Sequence, residues 1–488
     1  MNQTASVDLR AVAEQVVRAR GFDPRFPVEV QQQVSLLQRQ PPAVASGGNV
    51  RDLRSLLWSS IDNDDSRDLD QIEVAEQITG GATRVLVAIA DVDSFVPKGS
   101  PIDVHAARET TTVYTGVRVF PMLPEPLSTG ITSLLEAADK LSMVVEYTVD
   151  SDGQIQSSDV YRAVVRNKAQ LAYSAVGGWL QGGAAPAKVE SSAELQAQLK
   201  LQDGVAQKLR AQRFRHGALN IESTEVRPIM SGDQIVGIAD QQKNRASNLI
   251  EELMIAANEA MARMLKAKKV SSIRRVVKTP ERWDRIVELA AQHGGHLPAQ
   301  PDPKALNDFL TQRKAADPDH FADVSLIVVK LMGPGEYILE RPGDAETGHF
   351  GLAIQDYTHS TAPNRRFADV VTQRLVKSVL SGAATPYGDD ELTTIAQNCT
   401  TKQDAARKVE RDMSKRVAAV ALKNSIGKTF DAIVTGATPR GTFVRVLKPH
   451  VEGMLVSGQK GVDVGDRLRV RLVNTDPQRG YIDFARQG

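Results

Sequence analysis

The sequence predicts a multidomain α+β chain. A short N-terminal helical segment spans residues 1–48, one large mixed domain spans 49–427, and a small C-terminal β-barrel spans 428–488. Three observations predict this. Helical apolar spacing over residues 8–20 returns in long runs at 246–267, 369–380 and 402–423, and strand-like runs at 84–90, 144–149 and 324–331 are interleaved with them. A linker made of Gln40-Pro41-Pro42 and Ser46-Gly47-Gly48 precedes the large domain, and no comparable break follows until about Gly427. From Thr429 onward the texture changes to short alternating runs at 430–435, 441–447, 453–456, 467–473 and 481–484, separated by Gly, Pro and Asp turns, as in a small barrel.

In chain order, the first helix stops at Gly21, with Pro24 and Pro27 just beyond, and a second helix is expected over about 28–37. Two readings stay open for this pair: a helix-turn-helix unit that touches nucleic acid, or a plain helical cap on the next domain. Within the large domain the Gly- and Ala-rich stretch 177–187 reads as a surface loop flanked by a helical insertion. No internal repeat is evident.

Composition narrows the function classes. At 488 residues and 41% hydrophobic content the chain can bury a substantial core. Its 60 Lys and Arg nearly balance 59 Asp and Glu, so net charge argues for no polyanionic partner. Residues 428–488 carry ten basic against six acidic side chains, a surplus of four that makes the tail mildly basic. Cys399 is the single cysteine, which excludes an intrachain disulfide and a multi-thiolate metal site and fits a reducing cytoplasm. The N-terminus has no basic and apolar leader pattern, and no apolar run reaches the roughly eighteen residues of a membrane span. A cytoplasmic protein without a membrane partner is expected.

Chemistry concentrates in one acidic run, Ile61-Asp62-Asn63-Asp64-Asp65-Ser66-Arg67-Asp68-Leu69-Asp70. Five carboxylates in nine residues repel one another unless a cation lies among them. Magnesium takes hard oxygen ligands, and two-metal phosphodiester hydrolysis needs several carboxylates converging on ions about 3.5–4 Å apart. A calcium loop is the rival, since Asp62, Asp64, Ser66, Asp68, Asp70 and Glu73 fall at positions 1, 3, 5, 7, 9 and 12 of that pattern; position 6 needs glycine for its sharp turn and is Arg67. A solvated acidic loop is the plainest alternative. The strand expected at 84–90 lies close enough in sequence to hold the run against a sheet.

A longer series of motifs extends the reading. S-I-D-N-D-D-S-R-D-L-D, V-A-I-A-D-V, V-F-P-M-L-P-E-P-L-S, I-E-E-L-M-I-A-A-N, H-F-G-L-A-I and Y-T-H-S-T-A-P-N-R-R-F-A-D occur in this order. Through nearly all of residues 50–487 the chain resembles the RNase II/RNase R (RNB) family of processive 3′-to-5′ exoribonucleases. The resemblance implies that the large domain is an RNB catalytic domain and the C-terminal barrel an S1-type OB domain, with Gly441-Thr442-Phe443-Val444, Glu452-Gly453-Met454 and Gly465-Asp466 in the expected order. Relatives carry two N-terminal cold-shock OB domains; the roughly fifty residues ahead of the large domain here are too few for one, so a form lacking them is expected.

Site roles follow from the resemblance. Four aspartates hold magnesium in the family; three map onto Asp62, Asp68 and Asp70, and the fourth onto Gln71, whose amide oxygen coordinates without charge. Asp64 or Asp65 is a candidate to compensate. Manganese is the alternative ion. Tyr114 matches the tyrosine that stacks on the 3′-terminal base, opposite a clamp position that is Ile221 here. Glu251 matches the residue that hydrogen-bonds a ribose 2′-hydroxyl, with Glu252 as the alternative. Arg365 matches the arginine on the scissile phosphate, Arg366 is a backbone contact or a structural residue, Glu410 lies near the terminal nucleotide, and Phe443 stacks a base on the barrel.

The implied activity is magnesium-dependent, two-metal, processive hydrolysis of single-stranded RNA to nucleoside 5′-monophosphates by a monomer. Two alternatives accompany it: an RNB-fold protein that clasps RNA without cutting, suggested by Gln71 and Ile221, and an endonuclease on the same fold.

Overall fold

A computed structural model of the chain describes residues 7–222, 225–231, 234–241, 243–439, 441–463 and 465–487. Helices α1 (Leu9–Ala19) and α2 (Val28–Arg39) come first. Then follow β1 (Val50–Asp52), β2 (Ser59–Asp62), β3 (Gln71–Gln77), β4 (Thr83–Ala90), α3 (Pro101–Glu109), β5 (Val113–Tyr114), β6 (Val119–Phe120), β7 (Asp139–Val149), β8 (Ile155–Arg166) and β9 (Ala169–Ala172). The helical insertion contains α4 (Tyr173–Leu180), α5 (Ala187–Glu190) and α6 (Ala193–Arg215), and is followed by the hairpin β10 (Glu225–Ser231) and β11 (Gln234–Gln241). Next are α7 (Arg245–Ala267), β12 (Ser272–Val276), α8 (Trp283–Gln292), α9 (Pro303–Ala316), α10 (Phe321–Met332), β13 (Glu336–Glu340), α11 (Phe367–Ser381) and α12 (Asp389–Leu422). The chain closes with β14 (Thr429–Thr438), β15 (Gly441–Leu447), β16 (His450–Ser457), β17 (Arg467–Asp476) and β18 (Tyr481–Arg486).

The large domain is organised by a seven-stranded mixed sheet in the order β1-β8-β7-β4-β3-β2-β9. Central β4 is buried along nearly its whole length, which explains why Val85–Ala90 reads as a continuous apolar run and not as an alternation. Helix α7 packs across the sheet, its Leu253 carbonyl accepting from the Tyr147 hydroxyl at 3.3 Å. Asn244 starts α7 by a reciprocal bond with Ser247. Gly177 in α4 makes room for that cap, because a Cβ there would stand 2.5 Å from the Asn244 side chain. Where β3 runs past the end of β2, the Gln198 amide of α6 completes the ladder, accepting from the Ala75 N–H at 2.9 Å and donating to its carbonyl at 2.5 Å.

The C-terminal strands close into a barrel in the order β14-β15-β16-β18-β17. Strand β17 shows why: Leu468, Val470 and Leu472 point into the core while Arg467, Arg469 and Arg471 face out. At Gly453 a Cβ would lie 2.4 Å from the Ile482 carbonyl and against the Phe484 ring, so only glycine lets β16 approach β18. Ala418, Ala419 and Leu422 of α12 seal the barrel base.

Three sequence expectations change. Residues 324–331 form part of helix α10, whose Phe321, Val324, Ser325 and Val328 face a cluster with Trp283, Leu306 and Phe309; a short β-branched apolar run does not separate strand from buried helix by pattern alone. The stretch 177–187 is loop only over 181–186, since α4 extends through Leu180. The calcium-loop reading falls because the acidic run joins strands β2 and β3 and not two helices. The N-terminal pair packs as a cap, α1 against Val409, Met413 and Val417 of α12, and α2 through Val30 and Val34 against the main core.

Candidate active site at the junction of β2 and β3

The acidic run is the connection between β2, which ends at Asp62, and β3, which begins at Gln71. Its C-terminal half is pinned: the Leu69 N–H donates to Ser133 Oγ at 3.0 Å, the Leu134 N–H donates to the Leu69 carbonyl at 3.0 Å, and Leu69 itself is buried. This anchor delivers Asp70 into the interior at 2% exposure, with its carbonyl accepting from the Ala90 N–H of β4 at 2.9 Å. A solvated loop does not hold a carboxylate this way.

A distant segment then completes the site. The loop before α11 brings the Asn364 N–H to Asp70 Oδ1 at 2.9 Å and Arg365 Nε to 3.5 Å from Asp70 Oδ2. The loop is held by Asp369, which accepts from the Ala362 N–H and grips the Arg366 guanidinium at 2.7 and 2.8 Å. Arg366 is thereby engaged inside the protein, whereas Arg365 remains about half exposed beside the carboxylates. Tyr114, at the end of β5, donates its hydroxyl to Asp68 Oδ2 at 3.4 Å and keeps 38% of its surface exposed. Asp62 Oδ1 accepts from the Asn63 N–H at 2.7 Å and Ser66 Oγ at 3.0 Å.

Burial pushes the Asp70 carboxyl up to about 8, against the pull of Arg365 and the Asn364 N–H, and burial also raises Asp68, with the charge of Asp62 adding to it. The donor chemistry fits a divalent cation. Asp62, Asp68 and Asp70 are hard oxygen groups close enough to disturb one another, Arg365 is the cation beside them, and a dication would return both raised carboxyls to the charged form. Gln71, the first residue of β3, is buried. Among the described residues no three His, Cys, Asp or Glu side chains form a ready-made coordination shell. Asp64 and Asp65 are exposed, and Asp64 accepts from Ser174 Oγ at 2.9 Å.

The remaining candidates lie farther out. Glu251 and Ile221 line a cavity of about 760 Å³ between the large domain and the barrel. Its wall carries Arg210, Arg213, Lys243, Arg245, Lys314 and Lys448 against Glu222, Glu251 and Glu252. Glu252 is buried in a two-point ion pair with Arg213, at 2.9 and 2.5 Å, while the half-exposed Glu251 pairs with Lys243 at 2.7 Å. Glu410 is half-buried on α12, and Phe443 on β15 lies 5.7 Å from Lys415 Nζ of α12. Tyr173 was not singled out by sequence reasoning, yet burial first, with the charges of Asp62 and Glu73 adding, holds its hydroxyl well above the ordinary tyrosine range. A lone tyrosine starting a helix carries no signal that would have found it.

Residues 50–382 match the RNB domain, and 428–487 match the RNase II-type exonuclease C-terminal S1 domain. Ribonuclease R of Escherichia coli strain K12 is 31% identical over 94% of this chain and 60% of its own length, and Ribonuclease R of Thermotoga maritima is 32% identical over 89% and 64%. The chain thus spans about three-fifths of the length of these curated relatives. In fold it is similar to Mycoplasma genitalium RNase R in complex with ribose methylated single-stranded RNA, with a TM-score of 0.86 at 23% identity over 98% of this chain and 78% of that one. It is also similar in fold to yeast Ssd1, a pseudonuclease, with a TM-score of 0.72 at 16% identity over 97% and 58%. The RNB match covers well over half of the chain, which therefore belongs to the RNB family and carries an RNase II-type S1 domain at its C-terminal end.

Proposed function

We propose that this protein is a 3′-to-5′ exoribonuclease that hydrolyses single-stranded RNA to nucleoside 5′-monophosphates. The observation that carries the reading is the convergence of Asp70, Asp68, Arg365 and Tyr114, drawn from three separate segments onto one end of a sheet. The relatives named Ribonuclease R support it. Asp62, Asp68 and Asp70, with the Gln71 amide, would hold magnesium or manganese, which supplies a more acidic water for attack and positive charge at the leaving 3′-oxygen.

The protein's own groups do the rest. Arg365 presents its planar guanidinium to the scissile phosphate and offsets the charge that develops there. The Asn364 N–H fixes one Asp70 oxygen, leaving the other beside Arg365. Tyr114 offers a ring face to the terminal base, which suits any sequence because every base has a π-face. Glu251, on the cavity wall, accepts from a ribose 2′-hydroxyl and so favours RNA over DNA. Lys and Arg around the cavity and Phe443 on the barrel hold the strand behind the cut, and Glu410 lies near the terminal nucleotide. The enzyme acts as a processive monomer in the cytoplasm; among the described residues no helix is long and apolar enough to cross a membrane.

A binding-only reading draws on two observations, the neutral Gln71 and the fold likeness to Ssd1. Incubation of the purified protein with 5′-labelled single-stranded RNA, with magnesium and then with chelator, separates the two. The nuclease reading expects stepwise shortening to a short end product that stops in chelator. Intact RNA in both lanes would favour the binder.

A further inference from the structure

Two hairpins meet beside the acidic run. In the first, β5 and β6 pair Val113 with Phe120 and Tyr114 with Val119, and the tip turns at Gly116 with a left-handed φ of 77°. In the second, formed by β10 and β11, Pro228 stands against that tip: its Cδ lies 3.6 Å from where a Cβ on Gly116 would be. Ile235 and Ile238 of β11 pack on the cluster that contains Val113, Phe120 and Val409, so both hairpins are anchored on α12. The residue before Pro228 is Arg227, whose Nη2 donates to Asn63 Oδ1 at 3.3 Å, between Asp62 and Asp64 in the run. Tyr114 reaches the same run at Asp68. Each hairpin thus delivers one side chain to it.

Arg227 is exposed, and among the described residues it has no ion pair. Its acceptor is a neutral amide, and the bond is long for an N–H to oxygen contact. Such a bond yields to a charged acceptor, because a guanidinium binds phosphate oxygens in pairs and more strongly. A polyanion needs a cation at this place. Divalent metal held by Asp62, Asp68 and Asp70 would offset their charge but leave Asp64 and Asp65, exposed beside Asn63 and without an ion pair among the described residues. These two carboxylates repel any phosphate that approaches them. Arg365 stands at the Asp70 end of the run, and Arg227 at the Asn63 end.

We infer that Arg227 is a second phosphate-binding arginine of the site, holding a backbone phosphate on the 5′ side of the scissile linkage while Arg365 serves the scissile phosphate itself. This rests on the RNA-binding reading above. A strand whose 3′-terminal base lies on Tyr114 has no phosphate beyond the scissile one, so every phosphate left for Arg227 lies upstream. In the free protein the Asn63 bond keeps the guanidinium aimed at the run, which reduces the side-chain freedom lost when RNA displaces it. Arg227 lies outside every motif of the sequence reading.

Binding of 5′-fluorescein single-stranded RNA to the full chain in chelator, followed by anisotropy, tests the inference without cleavage and so apart from the nuclease reading. Arg227→Ala and Arg227→Gln should each weaken binding about tenfold, and Arg227→Lys should keep most of the affinity. Glutamine can still donate to Asn63 but carries no charge, so full affinity in Arg227→Gln would mean that the arginine only braces the acidic run, and the inference would be overturned. RNAs with a single uncharged methylphosphonate, moved linkage by linkage from the 3′ end, locate the contact. At one upstream linkage the Arg227→Ala effect should vanish. Its disappearance at the terminal linkage, or at none, would overturn the inference as well. Failure of the unaltered protein to bind RNA would overturn the RNA-binding reading and this inference with it.

Discussion

The junction of β2 and β3 and the cavity wall beside the barrel are built on opposite principles. At the junction each side chain is fixed: Asp70 is buried, bonded by the Asn364 N–H and flanked by Arg365. Along the cavity, apart from the buried Arg213–Glu252 pair, Lys243 and Lys314 pair with Glu251 and Glu222 on partly exposed side chains, and Arg245 is partly exposed although its partner Asp203 is buried. Buried, preorganised groups act strongly on a developing charge, whereas exposed pairs are each weak and screened by salt. Chemistry should therefore depend on single atoms at the junction, and grip on the polyanion should be spread over many residues at the wall.

Substitutions can break or sharpen that contrast. Asp70→Asn should abolish cleavage while leaving RNA affinity nearly intact, measured by gel assay and fluorescence anisotropy; full activity would remove the junction from the chemistry. Arg365→Ala should lower the cleavage rate by about 10²–10³-fold. A loss confined to binding would place Arg365 with the wall instead. Lys448→Ala, at the barrel side of the cavity, should leave the rate at saturating RNA unchanged and reduce the slope of log affinity against log salt by about 0.7. A collapse of the rate would show that the wall is not a distributed surface.

The smallest effect concerns stability. In the folded chain without metal the Asp70 carboxyl is raised from 3.8 to about 8, so the folded state keeps a proton that the unfolded state has released. That contribution is fully present below pH 4 and is lost as pH rises through about 8. In chelator, the melting temperature of the unaltered protein should therefore fall relative to that of Asp70→Asn across this window. Parallel curves would indicate that Asp70 is not buried as described.

The two regions also differ in how far the sequence reveals them. The barrel was legible strand by strand, because alternation such as Arg467-Leu468-Arg469-Val470-Arg471-Leu472 is a local signal. Helix α10 was not, since its apolar β-branched run satisfies strand and helix patterns alike and only packing against Trp283 and Phe309 decides. Likewise α12 begins at Asp389, ahead of the predicted 402, because polar first turns hide helical spacing. At the site, Asp62, Asp68 and Asp70 stood out by density along the chain. Arg365 and Tyr114 are joined to them only through the fold, so the residues alone suggested nothing and the family motifs supplied both. Tyr173, the Asn364 N–H and the reach of Arg227 to Asn63 needed coordinates, because burial and contacts between distant segments leave no mark in sequence.

The central claim is that water, organised at the Asp70 junction, attacks the phosphorus and releases 5′-monophosphates. Hydrolysis of single-stranded RNA in ¹⁸O-enriched water, with mass spectrometry of the released nucleotides, tests it most directly. The account predicts 5′-monophosphates that each carry one ¹⁸O on phosphate, formed by the unaltered protein and not by Asp70→Asn. Products ending in 2′,3′-cyclic phosphate or 3′-phosphate, or label-free 5′-monophosphates, would contradict it.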